Sequence, residues 1–145
     1  MTISGNKLAI AKATKIFKSL GAHIIPININ IPSHCLLMKP INLKFKQFLE
    51  KIIINKPKIK FINNINCNYD ISSKDIKSTL IKQLYSPINW IKCIKFIEKQ
   101  NISNLIEFTP KNLLKKISQQ ITNNLNINSI YNVETFFSTL NKYKI

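Results

Sequence analysis

Arginine is absent from this sequence, so all 22 basic residues are lysines. Acidic residues are also few, six in 145 positions, and the formal net charge is +16. Isoleucine, asparagine and lysine together supply 70 of the 145 residues. Because these three amino acids have A/T-rich codons, we attribute the bias to an A+T-rich genome and not to function.

The missing arginine argues against a specific nucleic-acid partner. Proteins that read nucleic acids usually use arginine, whose planar group binds phosphate and guanine through two hydrogen bonds and stacks on bases. The lysines here are spread singly, and the longest run is Lys115-Lys116. The charge therefore predicts non-specific attraction to polyanions and no more than that.

Glycine is so scarce that several motifs are excluded within these 145 residues. The two glycines are Gly5 and Gly21. A serine nucleophile on an α/β sheet usually lies in a G-x-S-x-G turn, and P-loops and dinucleotide-binding fingerprints also need closely spaced glycines. The sequence contains none of these three motifs.

Paired cysteines and long apolar runs are lacking too. The three cysteines, Cys35, Cys67 and Cys93, form no C-x-x-C pair, which excludes a zinc knuckle and a thioredoxin motif and indicates a reducing compartment. The longest uncharged run, residues 20–38, contains asparagine, proline and histidine, so a membrane span is not expected. With no signal peptide visible, we predict a cytoplasmic protein without a membrane partner.

Hydrophobic periodicity predicts alternating helices and strands. The predicted helices are residues 6–20, 40–54, 73–84 with a cap at Ser72 or Ser73, a helix from Ser86-Pro87, another from Thr109-Pro110, and 133–142. The predicted strands are 24–31, 58–63, 104–108 and 129–132, and residues 1–5 read as a strand whose sheet partners would lie upstream. Strands separated by long helices predict parallel βαβ units and the α/β class.

The strand at 24–31 is predicted from strict alternation. Isoleucines at 25, 27, 29 and 31 alternate with prolines and asparagines at 26, 28, 30 and 32. Successive side chains of a strand point to opposite faces, so the pattern indicates one buried and one exposed face. Proline at position 26 favours a strand start or an edge strand.

His34 follows this segment and is one of two histidines. It could be a structural imidazole at a strand–helix junction or a general base, because histidine moves protons best near neutral pH. A dyad with Cys35 is geometrically poor, since neighbours on an extended segment point to opposite faces. His23 is predicted to lie on the surface. The residues alone leave both readings of His34 open.

Five blocks stand in order along the chain: "TISGNKLAI", "INIPSHCLLMKP", "INNINC", "LIKQLYSPINW" and "LIEFTPKNLL". They resemble the blocks I-A-G-x-x-x-A-V, V-P-S-H-C-x-L-M-x-P, V-x-N-x-x-x, L-x-x-Q-L-x-x-P-V-x-W and E-x-G-P-G-x-x-L of malonyl-CoA:acyl carrier protein transacylases. The blocks belong to the C-terminal part, a little under half, of that family's full length. The histidine block is the most specific of the five.

The resemblance implies a fold in two parts. Residues 1–31 would be the second half of a ferredoxin-like small subdomain. Residues 32–145 would be the C-terminal part of an α/β-hydrolase-like large subdomain. The class implied is therefore α/β, in agreement with the periodicity.

The resemblance also implies an activity: transfer of malonyl from malonyl-CoA to acyl carrier protein in fatty acid biosynthesis. His34 matches the family's catalytic histidine, which moves protons for a serine nucleophile. Gln83 matches the residue whose backbone carbonyl orients that histidine, and Ser33 a position associated with acyl-group choice. The implied partners are malonyl-CoA and acyl carrier protein, with no cofactor and no metal.

The chain departs from the family in ways that shape the prediction. The serine elbow, a glutamine-containing oxyanion loop and the arginine that holds the malonyl carboxylate all precede the matched region. The E-x-G-P-G loop reads Glu107-Phe108-Thr109-Pro110-Lys111, without glycine. We therefore predict a fragment that is inactive alone and needs a separate N-terminal half. The alternative is a non-catalytic basic remnant or binding domain.

Overall fold

The computed structural model describes residues 2–144 and divides into two compact units, Met1–Ile88 and Asn89–Ile145. The first contains helix α1 (Lys7–Ser19), a 3₁₀ helix (Leu36–Ile41), α2 (Asn42–Glu50) and α3 (Ser73–Gln83). The second contains α4 (Trp90–Lys99), β1 (Asn104–Phe108), α5 (Leu113–Gln119), β2 (Asn126–Ile130) and α6 (Val133–Tyr143). The predicted α/β class is confirmed, whereas the subdomain boundary at residues 31 and 32 stays a prediction.

Helix α1 confirms the helix predicted at residues 6–20. Its N-cap is Asn6, whose side chain accepts a hydrogen bond from the Leu8 amide at 2.9 Å, as short polar side chains do at helix starts. The chain leaves the helix at Gly21, where φ is +81°. Glycine adopts this left-handed conformation without a steric penalty, so it ends the helix where the sequence predicted.

The strand predicted at 24–31 is wrong: these residues belong to no strand and no sheet. The isoleucines at 25, 27, 29 and 31 remain 57% to 72% exposed. Alternation specifies which side chains share a face, but a strand also needs a neighbouring chain to bond with. No such neighbour is present in the described residues 2–144.

Two other predicted strands fail in the first unit for the same reason. Residues 2–5 are not a strand, and Met1 lies outside the described residues. In place of the strand at 58–63, the structure has a single antiparallel bridge between Ile62 and Tyr69. This bridge closes a turn and does not extend into a sheet.

In place of the single helix predicted at 40–54, helical structure begins at Leu36 and ends at Glu50. A 3₁₀ helix that includes Pro40 precedes α2, and α2 ends at Glu50. Ile52 and Ile53 beyond it are exposed, so they offer no packing that would extend the helix. By contrast, α3 begins as predicted, because the Ser72 hydroxyl accepts a hydrogen bond from the Asp75 amide at 3.1 Å.

The second unit is built on a parallel β1–α5–β2 arrangement, which confirms the predicted βαβ pattern. Strands β1 and β2 pair from Asn104–Asn126 to Phe108–Ile130. Strand β1 lies where it was predicted, whereas β2 begins three residues before the predicted 129. The buried cluster consists of Ile94, Leu125 and Ile127, against which four partly buried side chains pack, those of Trp90, Ile97, Leu105 and Ile121.

The predicted starts of α4 and α5 are both wrong. Ser86 and Pro87 do not begin α4, which starts at Trp90, whose indole Nε1 donates to Ser118 Oγ at 3.0 Å. Thr109 and Pro110 do not begin α5, which starts at Leu113. Tertiary contacts, absent from the local cap pattern, determine both starts.

The three cysteines are free thiols, with Cys67 and Cys93 buried and Cys35 half-buried. None of the helices within residues 2–144 combines the length and the apolar character that crossing a membrane requires. The cytoplasmic location stays a prediction.

Candidate active site around His34

His34 lies in a turn between residues 24–31 and the 3₁₀ helix, and its backbone is left-handed, with φ at 61°. Residues other than glycine seldom adopt this conformation, although histidine does so more often than most. Its backbone N–H donates to the Leu84 carbonyl at 3.0 Å. A hydrogen bond to a residue 50 positions away therefore holds the strained turn.

The imidazole ring makes a second contact with the same helix end. Nδ1 of His34 lies 2.8 Å from the backbone oxygen of Gln83. Since a carbonyl oxygen can only accept, Nδ1 must carry the hydrogen, and Nε2 is left as the acceptor when the ring is neutral. Helix α3 ends at Gln83, so the carbonyls of its last turn lack partners within the helix. His34 supplies donors for two of them.

The neighbours of His34 are also held through the backbone. Ser4 Oγ donates to the Ser33 carbonyl at 2.9 Å, and Cys35 Sγ donates to the Pro32 carbonyl at 3.2 Å. The thiol thus binds the turn and not the imidazole, which agrees with the poor geometry expected for a Cys35–His34 dyad. His23 is exposed.

Within residues 2–144, the hydrogen bonds of His34 involve no carboxylate, serine hydroxyl or thiol. The ring is oriented by a carbonyl, and none of these hydrogen bonds reaches a nucleophile. No cluster of three or more histidine, cysteine, aspartate or glutamate side chains capable of holding a metal ion occurs in the same residues. Within the described residues, the site orients a proton acceptor, and no hydrogen bond of His34 reaches a group for that acceptor to activate.

Three structural contributors were missed from the sequence: the Leu84 carbonyl, Ser4, and a buried polar group under α3 formed by Asn63, Asp70 and Thr79. Backbone carbonyls carry no sequence signal. The buried group had one available signal, because aspartate is uncommon in a chain with six acidic residues.

A second buried carboxylate, Glu107, organises the second unit. It accepts hydrogen bonds from Thr109 Oγ1 at 2.8 Å, the Leu114 amide at 2.9 Å, the Lys115 amide at 3.0 Å and Ser129 Oγ at 2.7 Å. Burial raises the pKa of this carboxyl, but the four hydrogen bonds outweigh burial, so the pKa lies below its ordinary value.

Glu107 thereby caps the N-terminus of α5, the helix whose start the sequence placed at Thr109-Pro110. Its carboxylate binds the first amides of α5, which otherwise lack partners, and it also bonds to Ser129 on β2. The hydroxyl of Thr109 instead donates to Glu107 and to the Lys111 carbonyl. The loop without glycine is therefore held by a carboxylate.

Two curated relatives show what the sequence is similar to. The malonyl CoA-acyl carrier protein transacylase of Buchnera aphidicola is 35% identical over 141 residues, covering 95% of this chain and 46% of the relative. The Haemophilus influenzae protein of the same name is 31% identical over 137 residues, covering 94% of this chain and 44% of the relative. The chain thus spans less than half the length of these relatives.

A solved structure agrees with the sequence comparison. A malonyl-transacylase determined in complex with its type II PKS acyl carrier protein superimposes with a TM-score of 0.91 at 30% identity, covering 95% of this chain and 45% of that one. No protein-family model matches the chain. By sequence and by structure, the chain corresponds to the C-terminal part, a little under half, of the malonyl-CoA:acyl carrier protein transacylases.

Proposed function

We propose that this chain supplies the histidine-bearing part of an [acyl-carrier-protein] S-malonyltransferase that moves malonyl from malonyl-CoA to acyl carrier protein in fatty acid biosynthesis. The observation that carries the proposal is the 2.8 Å contact between His34 Nδ1 and the Gln83 carbonyl. These two positions, 49 apart in sequence, are the ones that the resemblance pairs. The serine would come from a polypeptide equivalent to the part of the relatives that this chain does not cover.

The proposed fold follows the same correspondence. Residues 32–145 would complete an α/β-hydrolase-like large subdomain, and residues 1–31 would complete a ferredoxin-like small one. The exposed isoleucines at 25, 27, 29 and 31 support this, since soluble proteins seldom leave contiguous apolar surface uncovered. In this proposal the serine-bearing part covers them.

The proposed chemistry has two matched half-reactions. The serine hydroxyl attacks the thioester carbon of malonyl-CoA while Nε2 of His34 takes its proton. As the carbon–sulfur bond breaks, the imidazolium returns that proton to the departing CoA thiolate, leaving malonyl esterified to serine. The thiol of acyl carrier protein then gives its proton to His34 and attacks the ester, and the serine oxygen recovers the proton.

Each residue would have a limited role in this scheme. The Gln83 carbonyl keeps the hydrogen on Nδ1, so that Nε2 faces the serine as an acceptor, which is the task of aspartate in a serine–histidine–aspartate triad. Ser33 would lie near the acyl group and bear on its selection. The chain has no arginine, so the residue that binds the malonyl carboxylate would belong to the serine-bearing part.

The test is reconstitution. The N-terminal part of the Haemophilus influenzae relative, ending where similarity to this chain begins, is combined with this chain as a fused chimera and as two separate polypeptides. We expect malonyl transfer to acyl carrier protein from the chimera, and none from this chain alone above a heat-inactivated control. A folded chimera without activity would contradict the proposal.

The alternative, a non-catalytic basic binding domain, rests on the net charge of +16. It predicts that a correctly folded chimera is inactive and that the chain binds polyanions with an affinity that falls steeply as salt rises. Salt-dependent binding together with an active chimera would support the transferase, since the charge alone explains such binding.

A further inference from the structure

Three polar side chains, two from the turn before α3 and one from α3 itself, are buried together. We refer to Asn63, Asp70 and Thr79 as the Asp70 cluster. Asn63 and Asp70 are 5% and 4% exposed, and Thr79 is buried as well. Asn63 Nδ2 donates to Asp70 Oδ1 at 2.7 Å, and Thr79 Oγ1 donates to Asp70 Oδ2 at 2.5 Å. Each carboxylate oxygen therefore has its own donor.

One side of the Asp70 cluster belongs to a turn formed by residues 61–70. The Asp70 amide donates to the Phe61 carbonyl at 3.0 Å, and the Asn63 amide donates to the Asn68 carbonyl at 3.1 Å. Asn63 Oδ1 accepts from the amides of residues 65 and 66, both at 3.0 Å. These hydrogen bonds within the turn fix the positions of Asn63 and Asp70.

The other side of the cluster belongs to α3. Thr79 lies four residues, about one helical turn, before Gln83 and on the same face of the helix. Its hydroxyl bond to Asp70 restrains both the rotation of α3 about its axis and the shift of α3 along it. Either movement would displace the carbonyls of Gln83 and Leu84, which bind His34.

We infer that the Asp70 cluster is a positioning device for His34. It fixes α3 against the turn 61–70, so that the Gln83 carbonyl stays at hydrogen-bond distance from Nδ1 and holds the ring in one tautomer. That the cluster fixes α3 and the tautomer of His34 does not depend on the proposed function. That this tautomer matters for catalysis rests on the proposed function. Asp70, Asn63 and Thr79 act through the helix and do not touch substrate.

A purely structural role would lower stability and leave the imidazole as it is. The deciding measurement is therefore the tautomer of His34, read from the ¹⁵N shifts of its ring nitrogens at a pH where the ring is neutral. The chain has two histidines, so labelling it with ¹⁵N-histidine and adding the unlabelled N-terminal part shows His34 and His23 alone. The exposed His23 serves as the internal reference.

The main variant is Thr79→Val, which keeps the shape of the side chain and removes the donor. We expect the ratio of Nδ1–H to Nε2–H forms of His34 to fall about five-fold, the effect of weakening one net hydrogen bond. Thr79→Ser keeps the hydroxyl and should keep the wild-type ratio. The matched control is Thr139→Val, because Thr139 is a buried threonine of α6 whose hydroxyl donates to the Thr135 carbonyl at 2.7 Å.

If Thr79→Val does not fold, Thr79→Ala provides the same test, because alanine also lacks the hydroxyl donor and is the residue most favourable to a helix. An unchanged tautomer ratio in a folded variant of either kind would overturn the inference. In the active chimera, Thr79→Val should lower kcat with little change in KM. Because the tautomer is measured without turnover, failure of the proposed function and failure of this inference remain distinguishable.

Discussion

The two units of the chain differ in what they bury. In the first, Met1–Ile88, three of the five buried side chains among the described residues are polar, those of the Asp70 cluster, and the others are Leu49 and Cys67. In the second, Asn89–Ile145, a parallel strand pair and an apolar cluster around Ile94 form a small core. Most of the exposed large apolar side chains belong to the first unit.

The two units also differ in whether their segments find hydrogen-bonding partners within the chain. The second unit contains both strands of its pair, so the hydrogen bonds between β1 and β2 are made within the chain. The first unit contains residues 24–31, which pair with no strand among the described residues 2–144. It nevertheless holds His34 by two hydrogen bonds to the carbonyls of Gln83 and Leu84 at the end of α3. A unit with little apolar core can still position a side chain accurately when buried polar groups have all their partners.

The largest expected effect tests whether catalysis depends on the first unit. His34→Asn in the active chimera should lower kcat by about 10²–10⁴-fold, the usual value of general-base assistance. Asparagine is chosen because it tolerates the left-handed backbone of this turn. The measurement is the rate of malonyl transfer to acyl carrier protein.

Three companion variants should be mild. His23→Asn changes an exposed histidine, Cys35→Ala removes a thiol that binds the Pro32 carbonyl, and Gln83→Ala keeps the backbone carbonyl. An inactive Cys35→Ala together with an active His34→Asn would make the thiol the nucleophile and overturn the assignment of roles.

The next effect tests whether the apolar core of the second unit dominates its stability. Ile94 is 1% exposed, and Ile94→Ala should lower the free energy of unfolding by about 2–5 kcal/mol, through lost burial and the cavity left behind. Ile91→Ala, on the exposed face of the same helix, should change it by no more than about 0.5 kcal/mol. Urea unfolding measures both, and equal effects would contradict the assignment of the core.

A smaller effect concerns the buried carboxylate of the second unit. Each carboxylate oxygen of Glu107 accepts two hydrogen bonds. Glu107→Gln removes one of these two acceptor oxygens and should cost about 1–3 kcal/mol at neutral pH. Because the pKa of Glu107 is lower in the folded protein than its ordinary 4.5, its stabilisation is present above 4.5 and is lost as pH falls through the folded value.

The stability difference between wild type and Glu107→Gln should therefore narrow on acidification, as measured by urea unfolding at neutral pH and at about pH 3.5. The control is Glu134→Gln, which alters an exposed carboxylate in the first turn of α6. A difference independent of pH would show that the hydrogen bonds do not favour the charged form.

The smallest effect on stability concerns the exposed isoleucines of residues 24–31, and it tests whether they bind the separate N-terminal part. Ile27→Thr and Ile29→Thr should change the free energy of unfolding of the isolated chain by about 0.5 kcal/mol or less, because both side chains are exposed. They should nevertheless reduce its aggregation and weaken binding of the separate N-terminal part. Asn28→Thr, at the exposed polar position between the two isoleucines, is the control, and equal weakening of binding by all three variants would contradict an interface made by the isoleucines.

Several local signals in the sequence predicted the structure correctly, although the local cap patterns at Ser86-Pro87 and Thr109-Pro110 did not. The cap at Ser72, the stop at Gly21 and the strand at 104–108 are each specified by a few neighbouring residues, and the structure contains all three. The histidine and Gln83 were found through ordered motifs, and the structure brings their atoms together, although their catalytic roles stay predictions. The Asp70 cluster was not predicted, because its partners lie 7 and 9 residues from Asp70 in a pattern without periodicity.

The sequence by itself determined which side chains alternate along 24–31, where α1 and α3 begin, and that no glycine-dependent nucleophile turn exists within these 145 residues. Tertiary structure decided whether the alternating segment became a strand, where α4 and α5 start, and which carbonyls meet His34. The physical reason is the separation along the chain between the interacting atoms. The backbone groups of the caps at Asn6 and Ser72 bind side chains a few residues away. Sheet pairing, the Trp90–Ser118 and Glu107–Ser129 contacts and the capture of a helix end by His34 need atoms that only folding brings together.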